Sequence, residues 1–142
     1  MKSKLKSLKS LIRLHQQNLD GIRRQLAEEE EDLRHTIEEI QAIDAQISQE
    51  KEFAQLSPDF MKSFTLFLQG AKYRRALQDY KRIQIEEQVE ATRDRLREAL
   101  AELKRYEIAR DKIQKALDQE ELKRDQKQMD EVGLRGFFVK EN

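Results

Sequence analysis

The sequence has no Cys and no Trp, and only one Pro and four Gly among its 142 residues. Because Cys is absent, disulfides, thiolate metal sites and thiol nucleophiles are excluded, and we expect a reducing compartment. Folds made of many short strands need more turn residues than this chain contains and are excluded too. No apolar run approaches the ~20 residues that cross a membrane. We therefore expect a soluble protein that stays in the cytoplasm.

Patterns that carry catalysis or bind cofactors are also missing. The two histidines, His15 and His35, lack the spacing of a zinc site, and no glycine-rich phosphate-binding motif occurs. We interpret His15 as a core side chain, because it falls on an apolar helical seam. The acidic run Glu28–Asp32 lacks the Gly turn of a calcium loop, so we interpret it as a solvated face. We expect no enzyme activity, no metal and no cofactor.

Charged residues are abundant and balanced. The chain contains 28 Lys and Arg and 28 Asp and Glu, which together form 39% of its residues. Ala, Glu, Lys, Leu and Arg make up about half of the sequence, a composition typical of long helices. The length suits one domain. Proteins that bind nucleic acids contact the phosphates with an excess of positive charge, and the net charge of this chain is zero. We therefore do not expect nucleic acid as a partner.

Apolar residues in the first part of the chain recur in alternating steps of three and four, which predicts a coiled-coil seam. We expect one stutter in this pattern, at the acidic run Glu28–Asp32, where Glu30 replaces an apolar residue. The predicted seam residues are Leu5, Leu8, Ile12, Leu19, Ile22, Leu26, Leu33, Ile37, Ile40 and Ile47.

A second helix is predicted to begin at Ser57-Pro58-Asp59. Ser57 is a good cap, Pro58 suits the first helical position, and Asp59 places a negative charge at the positive end of the helix dipole. Gly133 predicts its end. The second seam is Ile85, Val89, Thr92, Leu96, Ala99 or Leu100, Leu103, Tyr106, Ile113 and Leu117. The expected hairpin over 1–142 comprises a first helix at about 3–54, a bend at 55–58, a second helix at about 58–131 and a tail at 132–142.

The short bend predicts an all-α fold, an antiparallel two-helix coiled-coil hairpin with a longer second helix. Charge supports this pairing, because Ala27–Asp59 (formally about −9) would lie opposite Phe60–Ile85 (about +5). The first helix should run out opposite Asp111. About 20 residues of the second helix would then lack a partner in the chain, including Ile113, Leu117, Leu122 and Met129.

Two apolar rows follow the bend, on faces about 200° apart. One row is Phe64, Leu68, Ala71 and the basic Arg75; the other is Leu66, Tyr73, Leu77 and Tyr80. A hairpin covers only one of them. The sequence leaves open which row faces the first helix.

Residues near the end of the chain resemble a known family. Arg124–Glu131 reads Arg-Asp-Gln-Lys-Gln-Met-Asp-Glu. This is similar to the DQKxMDE signature of the flagellar export protein FliJ family, the small coiled-coil component of the flagellar type III protein export apparatus. Phe64, Leu68, Ala71 and Arg75 form a second match. The chain length and the shorter first helix agree over essentially the whole chain.

The resemblance implies a coiled coil similar to that of the gamma subunit of rotary F-type ATPases. It implies that the end bearing the termini binds in the pore of the hexameric export ATPase and promotes its ring formation and activity. It also implies contacts with the export gate protein FlhA and with export chaperones, at the cytoplasmic face of the inner membrane near the flagellar base. By position, the gate-binding row is Phe64, Leu68, Ala71 and Arg75. The ATPase-binding tip is Leu5, Leu8, Ile12, Ile113, Leu117, Arg124, Asp125, Gln126, Lys127, Met129 and Asp130.

Two further interpretations stay open. A generic coiled-coil adaptor or chaperone escort, including the injectisome counterpart, would bind its clients without stimulating an ATPase. A self-associating structural rod would bury the free ends of two hairpins against each other and sediment as a dimer. The apolar tail Gly133–Val139 is equally compatible with a frayed terminus and with a short docking peptide.

Overall fold

The computed structural model describes the backbone of residues 1–141 and the side chains of residues 1–136. It contains two helices: α1 spans Lys2–Ala54 (53 residues) and α2 spans Pro58–Glu141 (84 residues). The part of the chain that is described contains no strand. The predicted all-α fold, a helical hairpin with the longer helix second, is confirmed.

Local hydrogen bonds define the bend between α1 and α2. The amide donors of Gln55 and Leu56 bond to carbonyl oxygens three residues earlier, at 3.3 and 3.1 Å, which tightens the last turn of α1. The Ser57 hydroxyl then accepts a hydrogen bond from the Phe60 N–H at 3.3 Å. Pro58 occupies the first helical position, where its missing N–H donor is not needed. Ser57 is therefore the N-cap that the sequence predicted.

α2 ends later than the sequence predicted. We expected the helix to stop near Glu131 because of Gly133, yet it continues to Glu141. Gly133 and Gly136 each lower helix propensity by about 1 kcal/mol, but they still supply backbone donors. No Pro follows to stop the helix. In the docking peptide considered at Gly133–Val139, the side chains from Phe137 onward lie outside those that the structure describes.

The contacts of the chain form two compact units. The bend unit comprises Asp20–Arg97 and contains the end of α1, the bend and the first half of α2. The terminal unit comprises Met1–Leu19 and the part of α2 that follows Arg97. Each unit pairs a stretch of α1 with a stretch of α2.

In the bend unit, one row of buried and half-buried residues on each helix, from Ile22 to Ile47 and from Phe64 to Leu96, follows alternating steps of three and four. Ile37, Phe67 and Asp79 are half-buried beside these rows. The predicted stutter is wrong, because the polar residues Glu29 and Thr36 occupy seam positions and keep the period. The α1 seam is Ile22, Leu26, Glu29, Leu33, Thr36, Ile40, Ile43 and Ile47. The α2 seam is Phe64, Leu68, Ala71, Arg75, Gln78, Arg82, Ile85, Val89, Thr92 and Leu96.

Cross-helix contacts in the bend unit show that the helices are antiparallel. Arg75 Nε donates to Asp44 Oδ1 at 2.7 Å, and Thr92 Oγ1 donates to Glu29 Oε1 at 3.0 Å. The partner in α1 thus moves toward the N-terminus as α2 advances. The Arg75–Asp44 pair joins the basic and acidic segments that the sequence predicted to lie opposite each other.

The terminal unit has its own antiparallel seam. One layer of this seam stacks the His15 ring on the Tyr106 ring, with centroids 4.8 Å apart. His15 is therefore a packed seam residue, as expected. The α1 seam residues are Leu5, Leu8, Ile12, His15 and Leu19, and those of α2 are Ala99, Leu103, Tyr106, Arg110, Ile113 and Leu117.

α1 covers α2 further than the sequence predicted. We expected the overlap to end opposite Asp111, but Leu5 and Leu117 line one groove and Ile113 is half-buried. The prediction assumed a symmetric bend, whereas α2 enters its seam only at Phe64, well after its first residue. From Asp118 onward, the described side chains of α2 are all exposed. The unpartnered part of α2 therefore begins about two turns later than predicted.

Candidate functional site

The row predicted to bind the export gate does not lie on a free face. Ala71 is 0% exposed, and Phe64 and Leu68 are half-buried in the seam with α1. Arg75 holds Asp44 through two hydrogen bonds, at 2.7 and 3.2 Å. The row faces α1 because it continues the heptad spacing of the later α2 seam. Its role in gate binding stays a prediction, for which only parts of Phe64, Leu68 and Arg75 are accessible.

The opposite row is the exposed one. Leu66 is 73% exposed and Tyr73 is 67% exposed, and Leu77 and Tyr80 also have more than half of their surface in solvent. Gly70 lies in the same row, and a Cβ atom placed on it would meet no other atom within 4 Å. We call Leu66, Gly70, Tyr73, Leu77 and Tyr80 the tyrosine stripe. A continuous exposed row of this kind is typical of an interaction surface.

Basic side chains border the tyrosine stripe on one side. Arg74 follows Tyr73, and Lys81 follows Tyr80 one heptad later. The Arg74 guanidinium lies 6.0 Å from the centroid of the Phe67 ring, a cation–π contact that holds the charge beside the stripe. Neither Arg74 nor Lys81 forms an ion pair within the described part of the chain.

Two other basic residues of this region, Arg75 and Arg82, are paired with carboxylates of the chain itself. Hydrogen bonds from Arg75 hold the pKa of the Asp44 carboxyl below its ordinary value of 3.8. Arg82 pairs with Asp79 and Glu86, both at 2.8 Å, and these carboxylates raise the pKa of its guanidinium. Arg74, Lys81, Lys62 and Lys72 form no ion pair within the described part of the chain, and of these Arg74 and Lys81 lie on the border of the tyrosine stripe.

The residues predicted for the ATPase-binding tip fall into two groups. Leu5 and Ile12 are buried in the terminal-unit seam, and Leu8, Ile113 and Leu117 are half-buried there. These five residues hold the helices together and offer little free surface. The exposed members lie on α2 beyond its last seam residue, Leu117: Arg124, Asp125, Gln126, Lys127, Met129 and Asp130.

We call the described part of α2 from Asp118 to Gly136 the free end. Its apolar residues are strongly exposed: Met129 is 75% exposed, and Leu122, Val132 and Leu134 each have more than half of their surface in solvent. Asp125, Gln128, Met129 and Val132 together line a shallow groove on one side of the helix. Charges of both signs alternate with these residues. The start of the free end shares a groove with Lys2 and Leu5 of α1, through Asp118, Glu121 and Arg124. Its apolar residues form exposed surface on an amphipathic helix.

The acidic run serves the pairing of the helices. Glu29 lies in the seam, and Glu30 forms an ion pair with Arg93 of α2 at 3.3 Å. Glu31 pairs with Arg34, which lowers the pKa of the Glu31 carboxyl. Our interpretation of the whole run as a solvated face was therefore incomplete. No group of three or more metal-ligating side chains occurs among the described residues.

Sequence reasoning missed the seam positions that are polar. Glu29, Thr36, Gln78 and Arg82 were passed over because we searched for apolar residues only. Counting back from Ile85 in steps of three and four leads to these α2 positions and on to Phe64. The same count would have assigned the row of Ala71 to the face that contacts α1.

The geometry defines a class of protein: a helical hairpin that presents exposed helix faces. No described helix has an apolar stretch long enough to span a membrane. The family model described as Flagellar FliJ protein matches residues 3–142. The chain therefore belongs to the FliJ family, and this membership places it among flagellar export components. No curated protein and no solved structure matches the chain significantly.

Proposed function

We propose that this chain is a non-enzymatic subunit of the flagellar type III export apparatus that promotes hexamer formation and activity of the export ATPase. The observation that carries the proposal is the free end, where Met129, Leu122 and Val132 are exposed without a partner in the chain. This segment contains the residues that match the family signature. It supplies binding surface and no reacting group.

The mechanism requires only differential binding. A helix that contacts several ATPase subunits at once binds the assembled ring more tightly than a single subunit. Such a ligand shifts the assembly equilibrium toward the ring by the difference between the two binding free energies. The alternating charges of the free end would orient the helix, and its apolar residues would contribute the affinity.

We further propose that the chain links the ATPase to the export gate protein FlhA and to export chaperones, which would hold it at the cytoplasmic face of the inner membrane. The bend unit supports this part of the proposal, because it exposes apolar surface at a different place from the free end. The alternative is an adaptor that binds chaperones or the gate and leaves ATP hydrolysis unchanged.

The test is the ATP hydrolysis rate of the cognate export ATPase with an equimolar amount of the full chain. We expect stimulation by the wild-type chain and its loss in the Leu122→Asp/Met129→Asp double variant. Both residues are more than half exposed, so the variant should fold normally. Circular dichroism would check that it remains helical.

The matched control is Ile108→Asp, which adds a charge at an exposed apolar position of α2 that lies outside the free end. This variant should stimulate as the wild type does. If the wild-type chain binds the gate or a chaperone but leaves the hydrolysis rate unchanged, the adaptor interpretation replaces the proposed one.

A further inference from the structure

The tyrosine stripe has the geometry of a second coiled-coil seam. Its residues follow one another in steps of four, three, four and three from Leu66 to Tyr80. Each lies two positions after a residue of the α1-facing seam, which places the stripe about 200° around the helix. A heptad spacing keeps a row aligned along a supercoiled helix. α2 of the bend unit therefore has two helix-binding faces, of which α1 covers one.

The composition of the stripe matches that of binding hot spots. Tyr is enriched where interfaces carry most of their affinity, because it combines a large apolar ring with a polar end. The Tyr80 hydroxyl is already oriented by a hydrogen bond that Gln84 Nε2 donates at 3.0 Å. Exposed tyrosines repeating at heptad spacing have no role in packing against α1.

The two borders of the stripe differ in charge. In heptad terms, one border consists of Phe67, Arg74 and Lys81, and the other of Gln69, Ala76 and Ile83. Border positions form the ion pairs that select a coiled-coil partner. Only one border is charged here, and its charge is positive.

We propose that the tyrosine stripe docks an acidic amphipathic helix of another protein, which pairs carboxylates with Arg74 and Lys81 and packs apolar side chains against Tyr73 and Leu77. The resulting arrangement is a local three-helix coiled coil with α2 in contact with both other helices. The inference is independent of the ATPase role, because the free end takes no part in it.

A second copy of this chain is a poor occupant of the stripe. Antiparallel docking of two stripes would bring Arg74 and Lys81 of both copies to the same border, where like charges repel. Parallel docking would place them beside an uncharged border. The four exposed side chains also offer on the order of 500 Å², less than the ~800 Å² per partner of a standard stable interface. A short helix that binds reversibly fits both observations.

The test uses two synthetic helical peptides of about three heptads, both with Leu at the seam positions. The acidic peptide carries Glu at the border positions and the basic peptide carries Lys, so neither pairs well with itself. Fluorescence anisotropy with the full-length chain measures both affinities. We expect the acidic peptide to bind at least about tenfold more tightly.

Three variants of the full chain sharpen the test. Leu66→Asp/Leu77→Asp should weaken binding of the acidic peptide by about tenfold or more, while circular dichroism shows an unchanged fold. Arg74→Glu/Lys81→Glu should reverse the preference in favour of the basic peptide. Ile108→Asp, which lies outside the stripe, should bind as the wild type does.

Three results would overturn the proposal. One is equal affinity for the two peptides, which would make the stripe an unselective apolar patch. Another is unchanged binding by the Leu66→Asp/Leu77→Asp variant. The third is a wild-type chain that sediments as a dimer while the Leu66→Asp/Leu77→Asp variant sediments as a monomer. A second copy would then cover the stripe.

Discussion

The bend unit and the terminal unit fill the same heptad pattern with different residues. The bend unit places Glu29, Thr92 and Arg75 in or beside its seam, where they contact the opposite helix. The terminal-unit seam is mostly apolar, with the His15–Tyr106 stack and Arg110 as its polar members. Directional polar contacts discriminate between registers, whereas an apolar seam mainly contributes stability. The bend unit is therefore the part in which the register of the pairing is most strongly specified.

The units also differ in the surface that they leave open. In the bend unit, the exposed tyrosine stripe lies on a helix whose other face is paired with α1. In the terminal unit, the largest group of exposed apolar residues lies on the free end, which follows the last seam residue, Leu117. The tyrosine stripe lies on a helix that α1 already holds in place before a partner binds. The free end can be contacted by a partner from several sides.

The largest effect is expected from a charge in the bend-unit seam. Val89 is 3% exposed, so Val89→Asp should lower the free energy of unfolding by about 3 kcal/mol or more. Thermal unfolding followed by circular dichroism measures the change. Leu66→Asp places the same side chain on the opposite, exposed face and should be almost neutral. Equal losses in the two variants would contradict the assignment of the faces.

An enlarged side chain at Ala71 should have the next largest effect. Ala71 has no exposed surface, so Ala71→Leu should destabilise the hairpin by about 1–3 kcal/mol through overpacking. Ala76→Leu, at an exposed position one turn later on the same helix, is the matched control. A neutral Ala71→Leu would show that this row is free, as its resemblance to the gate-binding row implied.

Loss of one polar seam contact should have a smaller effect. Thr92→Val keeps the shape of the side chain but removes the hydroxyl that donates to Glu29 Oε1 at 3.0 Å. Because Glu29 Oε2 is buried without a hydrogen-bond partner, the carboxylate would lose one of its few donors. We expect a loss of about 1 kcal/mol in chemical denaturation. The exposed Thr65→Val serves as the comparison and should cost less.

The smallest effect is expected from the Asp44–Arg75 ion pair, because both side chains are partly exposed. The pKa of Asp44 is lower in the folded chain than its ordinary value of 3.8, so the pair stabilises the folded state above that value. The stabilisation is lost as the pH falls through the depressed pKa. Denaturation of wild type and Asp44→Asn should differ slightly near neutral pH and converge in acid. A difference that grows in acid would contradict the pairing.

Local chemistry made part of the fold predictable. Ser57 and Pro58 predicted the start of α2, because capping depends on neighbouring residues only. The antiparallel direction followed from the short bend and from opposite charges. The end of α2 was not predictable from Gly133, because two glycines weaken a helix without stopping it. Tertiary contacts set the phase of the seam at Glu29 and Thr36, which a search for apolar residues passes over.

The candidate sites were predictable to a smaller extent. An unpartnered end of α2 followed from the unequal helix lengths, although its start at Asp118 depends on how α2 leaves the bend. The resemblance correctly indicated the family. It also placed Ala71 in a binding row that would have to be accessible, whereas Ala71 is buried. Which row after the bend is exposed depends on the register with α1, and the sequence left that choice open.

The most direct test of the central claim counts assembled rings. Electron microscopy would measure the fraction of export ATPase in hexamers as the full-length chain is titrated in. We predict that the fraction rises with the wild-type chain and with Ile108→Asp, and that it stays at its starting value with Leu122→Asp/Met129→Asp. If that double variant assembles rings as well as the wild type does, the free end is not the surface that promotes the hexamer.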